Sequence, residues 1–145
     1  MDYCTRADIE AELTEAELIQ LTDDMVPPVR VNSAVVTKAI ADAGALIDGF
    51  LGRYQLPLTV VPVLVRNLAV DIAVYRLFVR RKKRGVPEAV KDAYADAMKR
   101  LEKIQTGAVS IGVTQAGDSA PAATDSGAQV IAAASVFGPE TLEDF

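Results

Sequence analysis

The chain has 145 residues, half of them hydrophobic, with 15 basic and 20 acidic side chains, a net charge of −5, one Cys, and no His or Trp. The length suits one domain with its own core, since domains most often run about 100–150 residues. Without His the usual base near neutral pH and the commonest metal ligand are missing, which excludes Ser-His-Asp and Cys-His catalysis within one chain, and the lone Cys4 forms neither an internal disulfide nor a Cys-based zinc site.

Carboxylate-only chemistry survives this filter. The opening MDYCTRADIE has neither a basic start nor an apolar run, so no secretory signal is expected there. One cysteine fits a cytosolic protein.

Residues 1–31 carry eight acids and two bases, a sum of −6, and read as two short helices. Thr5 with Asp8, and Thr14 with Glu17, resemble capping boxes. Ile9 and Leu13 follow the first and Leu18 and Leu21 the second. The acids crowd helix N-termini, where the macrodipole favours them. Asp23-Asp24 and Pro27-Pro28 end this part.

Residues 32–60 sum to zero and hold a long helix from about Ser33 to Gly52, capped by Asn32 or Ser33. Val36, Ile40, Ala43, Ile47, Phe50 and Tyr54 form its apolar stripe. Lys38 and Asp42 stand one turn apart on the exposed side. Gly49 and Gly52 weaken the end, and Pro57 biases Leu56 away from helical geometry.

Residues 61–106 carry eleven bases and five acids, a sum of +6. A helix is expected from near Pro62 to about Lys83, with almost no polar face, hence central in a bundle or at a subunit contact. Arg66, Asp71 and Arg76 argue against a membrane span, because each ionisable group at a bilayer centre costs several kcal/mol. Gly85 suits a C-terminal cap. A third long helix runs from about Pro87 to Thr106, with Val90, Tyr94, Ala97, Met98, Leu101 and Ile104 on its apolar face and Gly107 as its stop. The short turn around Gly85 predicts that the two helices pair antiparallel.

Residues 107–145 carry five acids and no base, a sum of −5 that equals the whole net charge. Residues 108–114 alternate like a strand. Gly117 to Ser126 reads as a linker. Val130, Ile131, Val136, Phe137, Leu142 and Phe145 suit an extended arm that docks on another chain, or residues that fold back on their own core. The expected architecture is therefore mainly α: a small bundle over residues 1–107 with two long antiparallel helices and short N-terminal helices, then an extended C-terminal arm, 108–145, with room for short β-strands.

Arg76, Arg80, Arg81, Lys82, Lys83 and Arg84 put six bases into nine residues. The cluster suits an acidic protein surface, DNA, or a solvated helix end whose cations offset the dipole. Asp71, inside the most apolar helix, calls for a partner; a structural ion pair with Arg53 or Arg66 is expected, not catalysis. Asp42 and Asp48 do not share a helix face. Cys4 reads as a small buried residue. No phosphate-binding glycine loop is present, and neither cofactor nor metal is expected.

The run Ile47-Asp48-Gly49-Phe50-Leu51-Gly52-Arg53-Tyr54-Gln55-Leu56-Pro57-Leu58, with Val61-Pro62 and Asp71-Ile72-Ala73-Val74-Tyr75 after it, resembles the Mu-like head–tail adaptor proteins of tailed phages. Tyr3-Cys4-Thr5, Asp8 and the series Tyr94, Ala97, Leu101, Ile104, Gly107 extend the likeness over residues 2–107, with Phe50 where the family pattern has Tyr. The resemblance implies a helical connector subunit, not an enzyme, in a twelve-fold homo-oligomeric ring under the portal. Such a ring surrounds the DNA channel without sequence-specific contact and docks the next neck or tail-completion protein. It places the chain in the virion neck, and in the host cytoplasm during assembly, with no membrane. Arg53, Tyr54, Leu56 and Pro57 would form a structural or contact turn. The acidic N-terminal helices would face the basic turn 80–84 of a neighbour or the portal, and the arm would order on contact. A small helical DNA-binding regulator using that turn is the alternative, and a carboxylate enzyme a distant third.

Overall fold

The computed structural model describes residues 1–81, 85–113 and 115–116. Among these the chain is mainly helical: α1 spans Arg6–Glu12, α2 Glu15–Thr22, α3 Ser33–Phe50, α4 Val63–Arg80 and α5 Glu88–Thr106.

Both capping boxes form. Thr5 Oγ1 accepts the Asp8 N–H at 3.3 Å, and the Asp8 carboxylate accepts the Thr5 N–H at 2.7 Å. Thr14 and Glu17 repeat the exchange at 3.3 and 3.1 Å. Each box satisfies donors that a helix start otherwise leaves open. Ile9, Leu13, Leu18 and Leu21 then enter the core. At the end of α2, the buried Thr22 hydroxyl donates to the Leu18 carbonyl at 2.8 Å and accepts the Asn32 N–H at 3.0 Å. It thereby ties the two ends of the 23–32 loop together.

Asn32 caps α3 through the Ala34 N–H at 3.2 Å. Val36, Ile40, Ala43 and Ile47 are buried, as their spacing predicts. α3 stops at Phe50 rather than Gly52, and Leu51 and Tyr54 enter the core from the turn that follows.

α4 packs against all four other helices. Val65, Leu68, Ala69, Val70, Ile72, Ala73, Val74, Leu77 and Phe78 are buried on it, which is why its sequence shows so little polar face. It stops at Arg80, short of the expected Lys83, and Arg81 rather than Gly85 is its cap, with the Arg81 N–H on the Phe78 carbonyl at 3.0 Å. Ala97, Leu101 and Ile104 of α5 close the core. Tyr75 near the end of α4 stacks on Tyr94 near the start of α5, with ring centroids 4.0 Å apart. No helix among the described residues is long and apolar enough to cross a membrane.

The strand expected over 108–114 does not form in its described part. Gly107 and Gly112 take φ of 81° and 74°, outside strand geometry, and Ser110 Oγ accepts the Gly112 N–H at 3.2 Å. Among the described residues an isolated antiparallel bridge, Tyr54 to Gln115, stands in its place. Ile111 is buried, so packing continues past α5. The contact residues expected at Lys82, Lys83, Arg84, Val130, Ile131, Phe137, Leu142 and Phe145 lie outside the described residues.

Candidate interaction surfaces

The turn after α3 wraps the C-terminal end of α5. Leu51, Tyr54 and Leu58 point into the core, while Leu56 and Pro57 are exposed. The Tyr54 hydroxyl accepts the Ile111 N–H at 3.4 Å, and the Arg53 carbonyl accepts the Ala116 N–H at 2.8 Å. The Arg53 guanidinium lies against Gly107, in the space a Cβ there would take, and reaches Gln115 Oε1 at 3.5 Å. A cation at this end of α5 suits the helix dipole. On the same motif, Asp48 accepts the Tyr3 hydroxyl and the Met1 amine, the latter at 2.7 Å. Burial, then the Asp48 carboxylate, pushes the Tyr3 phenol above its usual range.

The basic end of α4 meets acids of its own chain. Arg80 donates to the Asp24 carboxylate and, at 3.3 Å, to the Leu21 carbonyl. Arg81 donates to the Asp23 carbonyl and lies 3.5 Å from Asp24. For these two arginines the acidic N-terminal segment expected across a subunit boundary is met within the subunit. The Asp23 carboxylate accepts the N–H groups of Met25, Val29 and Arg30 at 3.1, 2.8 and 3.1 Å. These bonds, those from Val29 and Arg30 foremost, hold its pKa at about 2. So organised, the loop turns Met25, Val26 and Val29 outward at 68, 95 and 71% exposure. Val60, just before α4, and Val63, its first residue, stand out at 70 and 66%.

Asp71 does not form the ion pair expected with Arg53 or Arg66. Arg53 is held at the end of α5, and the Arg66 charge bears on Asp8. Asp71 lines a cavity of about 480 Å³ between α1, α4 and α5, with Asp8, Glu12, Arg66, Asp96 and Arg100 around it, so Arg66 shares its cavity without being in ion-pair contact. Burial first, then Glu12, raises its carboxyl, and Arg100 partly offsets them. Among the described residues no cluster of three metal-ligating side chains occurs.

A groove of about 490 Å³ runs between α3, α4 and the start of α5. Tyr75, Tyr94, Leu77 and Val35 give it an apolar lining, and Lys38, Arg76 and Arg80 border it with Asp42. Asp42 is shared: Lys38 sits 3.2 Å from it and Arg76 3.8 Å. Arg76 Nε is buried without an acceptor. Neither this groove nor the Asp23 loop was read from the sequence, although two acids shortly before Pro27-Pro28 are a signal for side chain-to-backbone turns.

A family model described as "Bacteriophage Mu, Gp36" matches residues 3–130. The Mu-like prophage FluMu protein gp36 of Haemophilus influenzae is 36% identical over 115 residues, covering 79% of this chain and 77% of that one. Gene product J of Escherichia phage Mu is 32% identical over 126 residues, covering 86% of each.

Proposed function

The chain belongs to the bacteriophage Mu Gp36 family, and from that premise we propose that it is a structural protein of the virion, a head–tail adaptor rather than an enzyme. It assembles as a homo-oligomeric ring, of twelve subunits as the resemblance implies, beneath the portal. The ring surrounds DNA without reading its sequence and receives the next neck or tail-completion protein. Its place is the virion neck, reached from the host cytoplasm during assembly and without a membrane. The two long helices α4 and α5 form the antiparallel heart of each subunit, and the C-terminal arm is a contact element.

One observation supports this reading above the others. The domain has a well-filled core, yet it holds Met25, Val26 and Val29 outward on a loop fixed by Asp23. Apolar side chains displayed on an organised loop suit a protein partner. Electron microscopy of the protein mixed with portal tests the proposal: rings seated on portal are expected, and particles without added density reject it. A DNA-binding regulator would use the basic end of α4, where Arg80 and Arg81 already serve Asp23 and Asp24. Salt-dependent gel shifts with duplex DNA would revive that alternative.

A further inference from the structure

We infer that, in the free subunit, the groove between α3, α4 and α5 is the seat of the chain's own acidic, apolar C-terminal stretch, residues 130–145. This goes beyond the adaptor reading and does not depend on it.

The groove asks for a ligand of mixed character. Its lining offers the stacked rings of Tyr75 and Tyr94 and the side chains of Leu77 and Val35. Its border holds three cations, Lys38, Arg76 and Arg80, against Asp42, with Asp24 engaging Arg80 from outside. Three positive charges against two negative leave a surplus of one. Arg76 shows where it is least satisfied: it is 3.8 Å from a carboxylate that Lys38 also holds, and its Nε lacks an acceptor. A carboxylate arriving beside Arg76 would be favoured, provided the rest of its segment is apolar enough to cover the tyrosines.

Residues 130–145 have that composition. Val130, Ile131, Val136 and Phe137 come first, then Glu140, Glu143 and Asp144 are set among Leu142 and Phe145, and no base occurs anywhere beyond residue 106. Complementary charge fixes register, and apolar contact supplies the burial.

Reach is sufficient within one chain. The described chain ends at Ala116, bonded to Arg53 just past the end of α3. At 1.5 Å per residue, Asp42 lies ~12 Å and Val35 ~22 Å along the axis from Phe50. Residues 117–129 can extend to ~43 Å, about twice the farther distance. A tether of this length favours the chain's own groove over a second copy's in dilute solution.

The test uses the full chain with a nitroxide placed by Ser135→Cys, a position that leaves Phe137 intact. Cys4 is buried, with its thiol pushed up to about 11 by that burial, so the label goes to the new thiol. Amide signals of Val35, Ala39, Tyr75 and Tyr94 are expected to lose most of their intensity, equally so on dilution. Arg76→Glu or Lys38→Glu, each checked by an unchanged spectrum for the rest of the bundle, should restore much of it. Broadening absent from the groove, or centred elsewhere, overturns the inference. So does broadening that fades on dilution or passes between labelled and unlabelled copies, which would assign the stretch to a second subunit. Broadening untouched by both charge reversals overturns the electrostatic basis. None of these results bears on whether rings form on portal, so the two ideas fail separately.

Discussion

At the scale of single residues, two aspartates do opposite things. Asp23 is fully used: three backbone N–H groups point at it, and its carboxyl sits at about 2, below the ordinary 3.8. A carboxyl lowered by folding stabilises the fold in full above its unfolded value, and that support is lost as pH falls through the folded one. Asp23→Ala should therefore lower the melting temperature at neutral pH. The gap from the parent should close between about pH 4 and pH 2, as paired melts across that range would show. Asp71 is raised, chiefly by burial, so its charge is less welcome folded than unfolded. Its cost is absent in acid and grows as pH rises through the folded value. Asp71→Asn should hold or raise the urea midpoint near neutral pH, with the gain vanishing in acid. A large loss at neutral pH would mean that the carboxylate does have a close cationic partner. The sequence made Asp71 conspicuous, but not which charges would face it. Flanking apolar residues announce burial, whereas which arginine comes near depends on how α1 and α5 sit against α4.

At the scale of elements, the helices were legible and the segments between them were not. Periodicity exposed α3 and α5 because each buries one face, and it exposed α4 because that helix buries nearly all of itself. The capping boxes were legible because they are local, completed within four residues. Residues 108–113 show the limit of such reading. Their alternation is that of a strand, but a strand needs an edge to pair with, and among the described residues the turn after α3 offers only Tyr54 and Arg53. Gly107 is the pivot of this junction, at φ 81° with the Arg53 guanidinium against it. Gly107→Ala combines a left-handed backbone cost of about 1–2 kcal/mol with displacement of Arg53. The expected outcome is a loss of at least that size in chemical denaturation, with faster hydrogen exchange at Ile111, whose N–H rests on Tyr54. Arg53→Ala alone, which leaves the backbone unstrained, should cost less.

At the scale of the whole molecule, the division of charge along the chain acquires a different meaning from the one it has on paper. The N-terminal −6 and the central +6 suggest subunits attracting each other. In the fold, part of that attraction is spent inside the subunit, where Arg80 and Arg81 fasten the loop beginning at Asp23 to the end of α4. Charge then builds the loop, and its apolar tip stays exposed. This yields a discriminating prediction for the adaptor proposal. Val26 is 95% exposed, so Val26→Asp removes no core contact and should leave the melting temperature unchanged. If the loop enters a partner's surface, the new carboxylate must be desolvated there, and binding to portal should weaken by tenfold or more. Arg80→Ala should weaken binding as well, but with a measurable loss of stability, because it releases Asp24 and the Leu21 carbonyl. Calorimetric melts beside a portal co-sedimentation series separate the two. Unchanged sedimentation for Val26→Asp would move the docking surface away from this loop, leaving Val60 and Val63 as the next apolar positions to change.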